Sequence, residues 1–174
     1  MDVFTIDDFL NESDVLTLLE FVDNEKENFQ RSLDGGSHVP YFDCTNQCRW
    51  FSQKLHGMLN QIVTALNRSM FEAEPAMFEA ELTRNLSTGS RTTTTTILDR
   101  YEIGFAYHFY SLPRQFTGGD MTYKGRDDTI VTLPPKRNSI HFYAADLDYQ
   151  VAPTEQGCRY TIHGYLSRDS QRRH

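Results

Sequence analysis

The first third of the chain carries hydrophobic residues at the spacing of amphipathic helices. Asn11 is followed by two acidic residues and then by apolar residues three and four positions apart, which predicts a helix capped by Asn11. A second apolar stripe at helical spacing begins at Trp50 and ends at Leu66. We interpret both stripes as surfaces that face the protein core.

After about residue 78 the pattern changes to short β-rich segments separated by glycine and proline turns. The predicted strands are Phe78–Leu86, Thr92–Leu98, Ile103–Tyr110, Asp120–Tyr123, Thr129–Leu133, Ser139–Tyr143, Tyr149–Ala152 and Arg159–Leu166. Helices followed by strands, with no repeat and no linker, predict a mainly β fold with flanking helices. We expect one domain over residues 1–174, with a mostly helical layer over 1–70 and a β-barrel core over 78–167.

Composition and charge narrow the class of protein. The chain has 174 residues, of which 39% are hydrophobic and 13% aromatic, and this suits a packed, sheet-rich domain. A net charge of −7 argues against a nucleic-acid partner. No apolar run reaches the length of a membrane span, and the first residues lack the pattern of a signal peptide. No membrane partner is therefore expected.

The three cysteines, Cys44, Cys48 and Cys158, are odd in number. Cys44 and Cys48 resemble half of a zinc knuckle, but no second pair of ligands follows at the required spacing. We interpret all three as reduced structural thiols and expect a cytoplasmic protein.

The most specific stretch is Tyr107-His-Phe-Tyr-Ser-Leu-Pro-Arg-Gln-Phe-Thr-Gly-Gly-Asp-Met121. It resembles a segment of the 2-oxoglutarate, Fe(II)-dependent oxygenases of the prolyl-hydroxylase type. The segments 4–10, 133–143, 149–153 and 159–165 are similar to further motifs of that family and occur in the same order. The resemblance implies a double-stranded β-helix, or jelly roll. In the family a His-x-Asp pair and a distant histidine hold iron, and an arginine grips 2-oxoglutarate.

The family's arginine is matched by Arg159, ten residues after Tyr149. A planar guanidinium, always charged, is suited to holding a carboxylate by two contacts. A structural ion pair with a barrel carboxylate is the alternative interpretation.

The family's iron ligands have no counterpart in the sequence. Thr92 and Thr94 stand where the resemblance places the His-x-Asp pair, and Tyr149 replaces the distant histidine. Neutral hydroxyls bind Fe(II) poorly, so we expect no metal and no cofactor, although the family implies iron and 2-oxoglutarate. Alternatively, the threonine run from Thr92 to Thr96 is an exposed strand in another register.

The resemblance also implies a set of residues inside the barrel. His108 occupies the position of a tyrosine that helps hold 2-oxoglutarate in relatives. His163 and Tyr165 alternate with Arg159 along the last strand, so their side chains share one face. Our candidate catalytic residues are His108, His163 and Tyr149. The candidate ligand-binding residues are Arg159, Tyr165, Thr92 and Thr94.

Three functions are compatible with these residues. The first is an iron-free barrel that binds a small organic anion and catalyses a non-redox step, such as an isomerisation, cyclisation or elimination, with His108 or His163 as general base. The second is an active oxygenase with a non-standard metal site formed by His108, His163 and Tyr149. The third is a non-catalytic binding or scaffold protein. Each of these functions is compatible with a homo-oligomer or with a protein partner.

Overall fold

The computed structural model describes residues 3–24, 30–31, 37–39, 50–51, 53–55, 57, 77–86, 101–125, 127–144 and 147–167. One helix, α1, covers Glu12–Asn24. The strands are β1 (Val3–Ile6), β2 (Gln30–Arg31), β3 (Ser37–Val39), β4 (Met77–Leu86), β5 (Tyr101–Phe109), β6 (Thr117–Gly118), β7 (Met121–Lys124), β8 (Ile130–Leu133), β9 (Ser139–Ala144), β10 (Asp148–Val151), β11 (Thr154–Glu155) and β12 (Cys158–Ser167).

The first predicted helix is confirmed. The Asn11 side-chain oxygen accepts a hydrogen bond of 2.9 Å from the backbone N–H of Asp14, as an N-cap residue does. Val15, Leu18 and Val22 of α1 are buried, as their spacing predicts. Of the second stripe, residues 50–51 and 53–55 are helical, and the remainder lies outside the described residues. None of the helical segments described is long and apolar enough to cross a membrane.

Seven of the eight predicted strands are found, with ends that differ from the prediction by no more than two residues. The eighth, Thr92–Leu98, lies outside the described residues. Five further strands, β1, β2, β3, β6 and β11, were not predicted as strands. The longest of these five strands, β1, has only four residues. Such short segments contain too few positions for a period-two pattern to be recognised.

The strands form two main antiparallel sheets. The major sheet has seven strands in the order β1-β9-β5-β12-β4-β3-β2, and the minor sheet has three in the order β10-β7-β8. The short pair β11-β6 forms a third sheet. This confirms the prediction of a mainly β fold with flanking helices.

Alternation along the strands gives the major sheet two different faces. One face packs against α1 through a helix-side core that includes Val15, Leu18, Phe51, Phe105, Tyr107, Phe109, Ile140, Phe142 and Ile162. The opposite face packs against the minor sheet through a barrel-side core of Ala106, Met121, Tyr123, Tyr143, Ala144, Leu147 and Tyr149. Polar side chains at the other end of this second face therefore point into the barrel.

A buried asparagine joins the N-terminal segment to the major sheet. The side-chain oxygen of Asn138 accepts hydrogen bonds from the Leu10 N–H at 3.0 Å and from the Tyr107 hydroxyl at 2.9 Å. Its amide group donates to the Leu10 carbonyl at 2.7 Å. Burial raises the pKa of Tyr107, so its hydroxyl stays protonated and donates.

Candidate functional site

The candidate site lies on the barrel side of three adjacent strands of the major sheet, β9, β5 and β12. The middle strand, β5, contributes Gly104, Ala106 and His108 at alternate positions. On β12 these face Tyr165, His163 and Thr161, and on β9 the partners of Gly104, Ala106 and His108 are Tyr143, His141 and Ser139. Gly104 leaves room for the Tyr143 ring of β9, which a Cβ atom at this position would overlap.

Arg159 is buried in this site, with 2% of its surface exposed. Its Nε donates a hydrogen bond to the Thr154 hydroxyl, and its Nη1 donates to the Thr161 hydroxyl, both at 2.9 Å. Thr161 lies directly opposite His108 on the neighbouring strand. The two threonines therefore hold the guanidinium beside His108, inside the barrel.

The Gly118-Gly119 pair makes room for this arrangement. Both residues have positive φ, 78° and 82°, a conformation that favours glycine. A Cβ atom on Gly119 would overlap Nε of Arg159, and one on Gly118 would overlap the Pro153 carbonyl. The glycine motif of the sequence thus shapes the surroundings of Arg159.

Two histidines lie next to each other in the barrel. His108 and His141 are each 1% exposed, and their ring centroids are 4.9 Å apart. Both ring nitrogens of His108 and Nδ1 of His141 have no hydrogen-bond partner. Buried polar atoms almost always have one, so these three nitrogens indicate a place where a ligand or water binds.

Both histidines are neutral at neutral pH. Burial lowers the pKa of His108 well below its ordinary value, and the charges of His141, Arg159 and His163 lower it further. Burial lowers the pKa of His141 to about 4, against a smaller opposing effect of Asp7. Each ring therefore offers one N–H donor and one acceptor nitrogen.

Tyr149 lies in an aromatic cluster at the other end of the barrel interior. Its ring centroid is 5.4 Å from that of Tyr143 and 6.0 Å from that of Tyr123. The Tyr123 ring also meets His141 edge-on, at 6.5 Å between centroids. The cluster therefore connects the family's distal ligand position to the histidine pair.

The structure brings several of the predicted site residues into one interior. Arg159, His108 and Tyr149 are buried there, and His163 is half-buried on the same face of β12. The backbone of Tyr165 pairs with Gly104, while its side chain, together with Thr92 and Thr94, lies outside the described residues.

The sequence-based prediction missed several residues that line the same interior. These are His141, Tyr123, Tyr143, Thr154 and Thr161. His141 could have been found, because it alternates with Ser139 in a predicted strand. The others become neighbours only through pairing and packing of the strands.

The donor groups of the described residues do not suit an iron site. These residues contain no group of three or more His, Cys, Asp or Glu side chains that could hold a metal ion. Of the three positions that the sequence resemblance assigns to the iron ligands, only Tyr149 is described, and it carries a phenol packed between aromatic rings. This described position does not fit the family's histidine and carboxylate site.

Comparison with known proteins identifies the fold. No protein-family model and no curated protein matches the sequence. A prolyl-4-hydroxylase from Pseudomonas putida is similar with a TM-score of 0.68 and 13% identity, over 97% of this chain and 94% of the other. A prolyl hydroxylase from Trichoplax adhaerens, in complex with a hypoxia inducible factor peptide fragment, has a TM-score of 0.71 and 14% identity, over 95% and 83%.

A third similar structure, from Burkholderia pseudomallei, is described as an oxidoreductase of the 2OG-Fe(II) oxygenase family. It has a TM-score of 0.62 and 9% identity, over 95% of this chain and 84% of the other. The chain therefore has the jelly-roll fold of prolyl-hydroxylase-type oxygenases, and the resemblance seen in the ordered sequence motifs is confirmed at the level of the fold.

Proposed function

We propose that this oxygenase-like barrel binds a small organic anion at Arg159 without using iron, and that His108 exchanges a proton with the bound molecule. The observation that carries the proposal is a buried guanidinium, oriented by Thr154 and Thr161, beside two buried imidazoles with unpaired nitrogens. A buried cation favours an anionic ligand, and the unpaired nitrogens favour a polar one.

The absence of iron is proposed from the donor chemistry at the family's ligand positions. The residues there are Thr92, Thr94 and Tyr149, whose side chains carry hydroxyl groups in place of imidazoles and a carboxylate. Hydroxyls that stay protonated are weak ligands for Fe(II). Bound iron in the family supplies oxygen activation, and the proposed function does not use that chemistry.

A neutral imidazole next to a charged guanidinium can catalyse proton transfer in a reaction that involves no oxidation or reduction. His108 can take a proton from the ligand and return it to another atom, while Arg159 stabilises the negative charge that develops. The electron count of the ligand is unchanged by this exchange, so the reaction classes are isomerisation, cyclisation and elimination. His163 and Tyr149 are further candidates for a proton donor on the same interior surface.

The anion site is tested by calorimetry with a panel of small mono- and dicarboxylates, on wild type and on Arg159→Ala. Loss of a buried charged partner is expected to weaken binding by roughly 2–3 kcal/mol. Arg114→Ala is the matched control, because Arg114 stacks on Phe116 and is exposed. Equal affinity of wild type and Arg159→Ala would contradict the proposal.

The iron-free function is tested by elemental analysis after anaerobic reconstitution with Fe(II), together with an assay of 2-oxoglutarate consumption. We expect no stoichiometric iron and no consumption above background. About one iron per chain would instead support the non-standard metal site of His108, His163 and Tyr149. Binding of a carboxylate with no chemical change in it would support the non-catalytic role.

A further inference from the structure

The unpaired nitrogens of His108 restrict the chemistry of the ligand. A neutral imidazole has one N–H, which needs an acceptor, and one bare nitrogen, which needs a donor. Both nitrogens of His108 lack a partner in a side chain that is 1% exposed. A ligand that fills the site without an intervening water must therefore bring a hydrogen-bond donor as well as acceptors.

Among the residues that the structure describes, the groups beside His108 do not supply that donor. On β9 the hydroxyl of Ser139 donates to the Lys136 carbonyl at 2.9 Å. On β12 the hydroxyl of Thr161 accepts from Nη1 of Arg159 and makes no hydrogen bond to either nitrogen of His108. The nearest ring is His141, whose Nδ1 is itself unpaired. The two flanking hydroxyls are thus directed to other groups.

From this geometry we infer that the anion is a hydroxycarboxylate, with its carboxylate on Arg159 and a hydroxyl on His108. The inference rests on the proposed function and deepens it. A hydroxyl both donates and accepts, whereas a keto oxygen and a carboxylate only accept. 2-Oxoglutarate, the ligand that the fold family implies, has no donor when both carboxyl groups are ionised.

Charge argues against an amine as the donor. An ammonium group would lie in the same interior as the Arg159 guanidinium, and the repulsion between two cations is large where water is excluded. An ammonium also has no acceptor for the imidazole N–H. A neutral hydroxyl avoids both difficulties, and further hydroxyls on the same ligand can reach Nδ1 of His141.

The experiment compares matched pairs that differ only in this group: 2-hydroxyglutarate with 2-oxoglutarate, and lactate with pyruvate, each hydroxy acid as both enantiomers. Calorimetry of the wild-type protein at pH 7.5 should show tighter binding of one hydroxy acid than of its keto partner, by about tenfold or more for one additional satisfied hydrogen bond. The ratio of the two affinities is measured on the wild-type protein alone.

His108→Phe keeps the ring and removes both nitrogens, and it should bring the ratio close to one. His108→Gln, which keeps a donor and an acceptor, should retain part of the preference and serves as the matched control. Keto acids that bind as tightly as hydroxy acids, with all binding lost in Arg159→Ala, would overturn this inference and leave the anion site in place. Failure of every probe to bind would overturn both.

Discussion

The absence of a Cβ atom at Gly119 leaves the space that the Arg159 side chain occupies. The sequence motif suggested a turn, but only the structure shows that the space beside Gly119 is taken by the Arg159 side chain. The resemblance to the oxygenase family indicated Arg159 as an anion-binding residue. The two threonines that orient it were not predicted, because their hydroxyls reach Arg159 through pairing of distant strands.

Replacing Gly119 by alanine should disturb Arg159 and destabilise the protein. The new Cβ would overlap Nε of Arg159, and the φ of 82° is unfavourable for alanine. We expect a loss of roughly 2–4 kcal/mol in the free energy of unfolding, measured with urea. The control is Gly57→Ala, where the nearest atom to the new Cβ, the Lys54 carbonyl oxygen, is 3.9 Å away. Similar effects of the two changes would contradict the packing described for Gly119.

Protonation of His141 should make stability depend on pH below neutrality. Its pKa is about 4 in the folded protein, lowered from an ordinary value of 6.5 by burial. The unfolded chain therefore binds more protons between pH 6.5 and 4, and stability decreases as the pH falls through this window, by up to about 1.4 kcal/mol per pH unit.

The pH effect is measured by urea unfolding of wild type and His141→Phe at several values between pH 7 and 4. The variant keeps a ring against Tyr123 and His108 but has no titrating group, so its stability should decrease less steeply. Parallel curves for the two proteins would show that His141 is not held neutral by the fold.

At the scale of the element, the two faces of β5 contribute to two different parts of the protein interior. Phe105, Tyr107 and Phe109 contribute to the helix-side core, while Ala106 and His108 face the barrel. The apolar run predicted a buried strand and its bounds within two residues. Its partners β9 and β12 lie far along the chain, and no local pattern specifies them.

The Asn138 side chain adds to the backbone pairing of β1 with β9 in linking the N-terminal segment to the major sheet. Asn138→Ala removes three hydrogen bonds and leaves the buried polar groups of Leu10 unsatisfied, so we expect a loss of roughly 2–4 kcal/mol in unfolding free energy. Tyr107→Phe removes only one of these bonds and should cost about 1 kcal/mol. Thermal and urea unfolding of both variants measure the difference. A cost for Asn138→Ala no larger than that for Tyr107→Phe would contradict the joining role of Asn138.

At the scale of the whole molecule, the order of several motifs predicted the fold although no single motif was sufficient. The site was predicted less completely. Arg159 and His108 followed from the resemblance, whereas Tyr123 and Tyr143 meet Tyr149 only because two sheets pack face to face. Alternation assigns a side chain to a face but does not say which residues of the opposite sheet it will meet.

The threonine run can be tested as the counterpart of the family's iron site. If Thr92 and Thr94 face Tyr149, the triple variant Thr92→His, Thr94→Asp, Tyr149→His should bind Co(II) and gain thermal stability when the metal is added. The control carries Thr93→His, Thr95→Asp and Tyr149→His, which moves the pair to the other face of the strand. Thermal unfolding with and without Co(II) measures both. The same response in both proteins would refute the register.

The strand order has a consequence for folding of the chain during its synthesis on the ribosome. β5 pairs only with β9 and β12, and β1 pairs with β9, so these strands emerge long before their partners. At about 5–20 residues per second, the chain from Phe109 to Ser167 takes roughly 3–12 s to synthesise. Until β9 is synthesised, the aromatic face of β5 has neither of its neighbouring strands in the major sheet, and such non-local pairing also folds slowly. We therefore expect the aromatic face of nascent β5 to be a surface that a chaperone binds during synthesis.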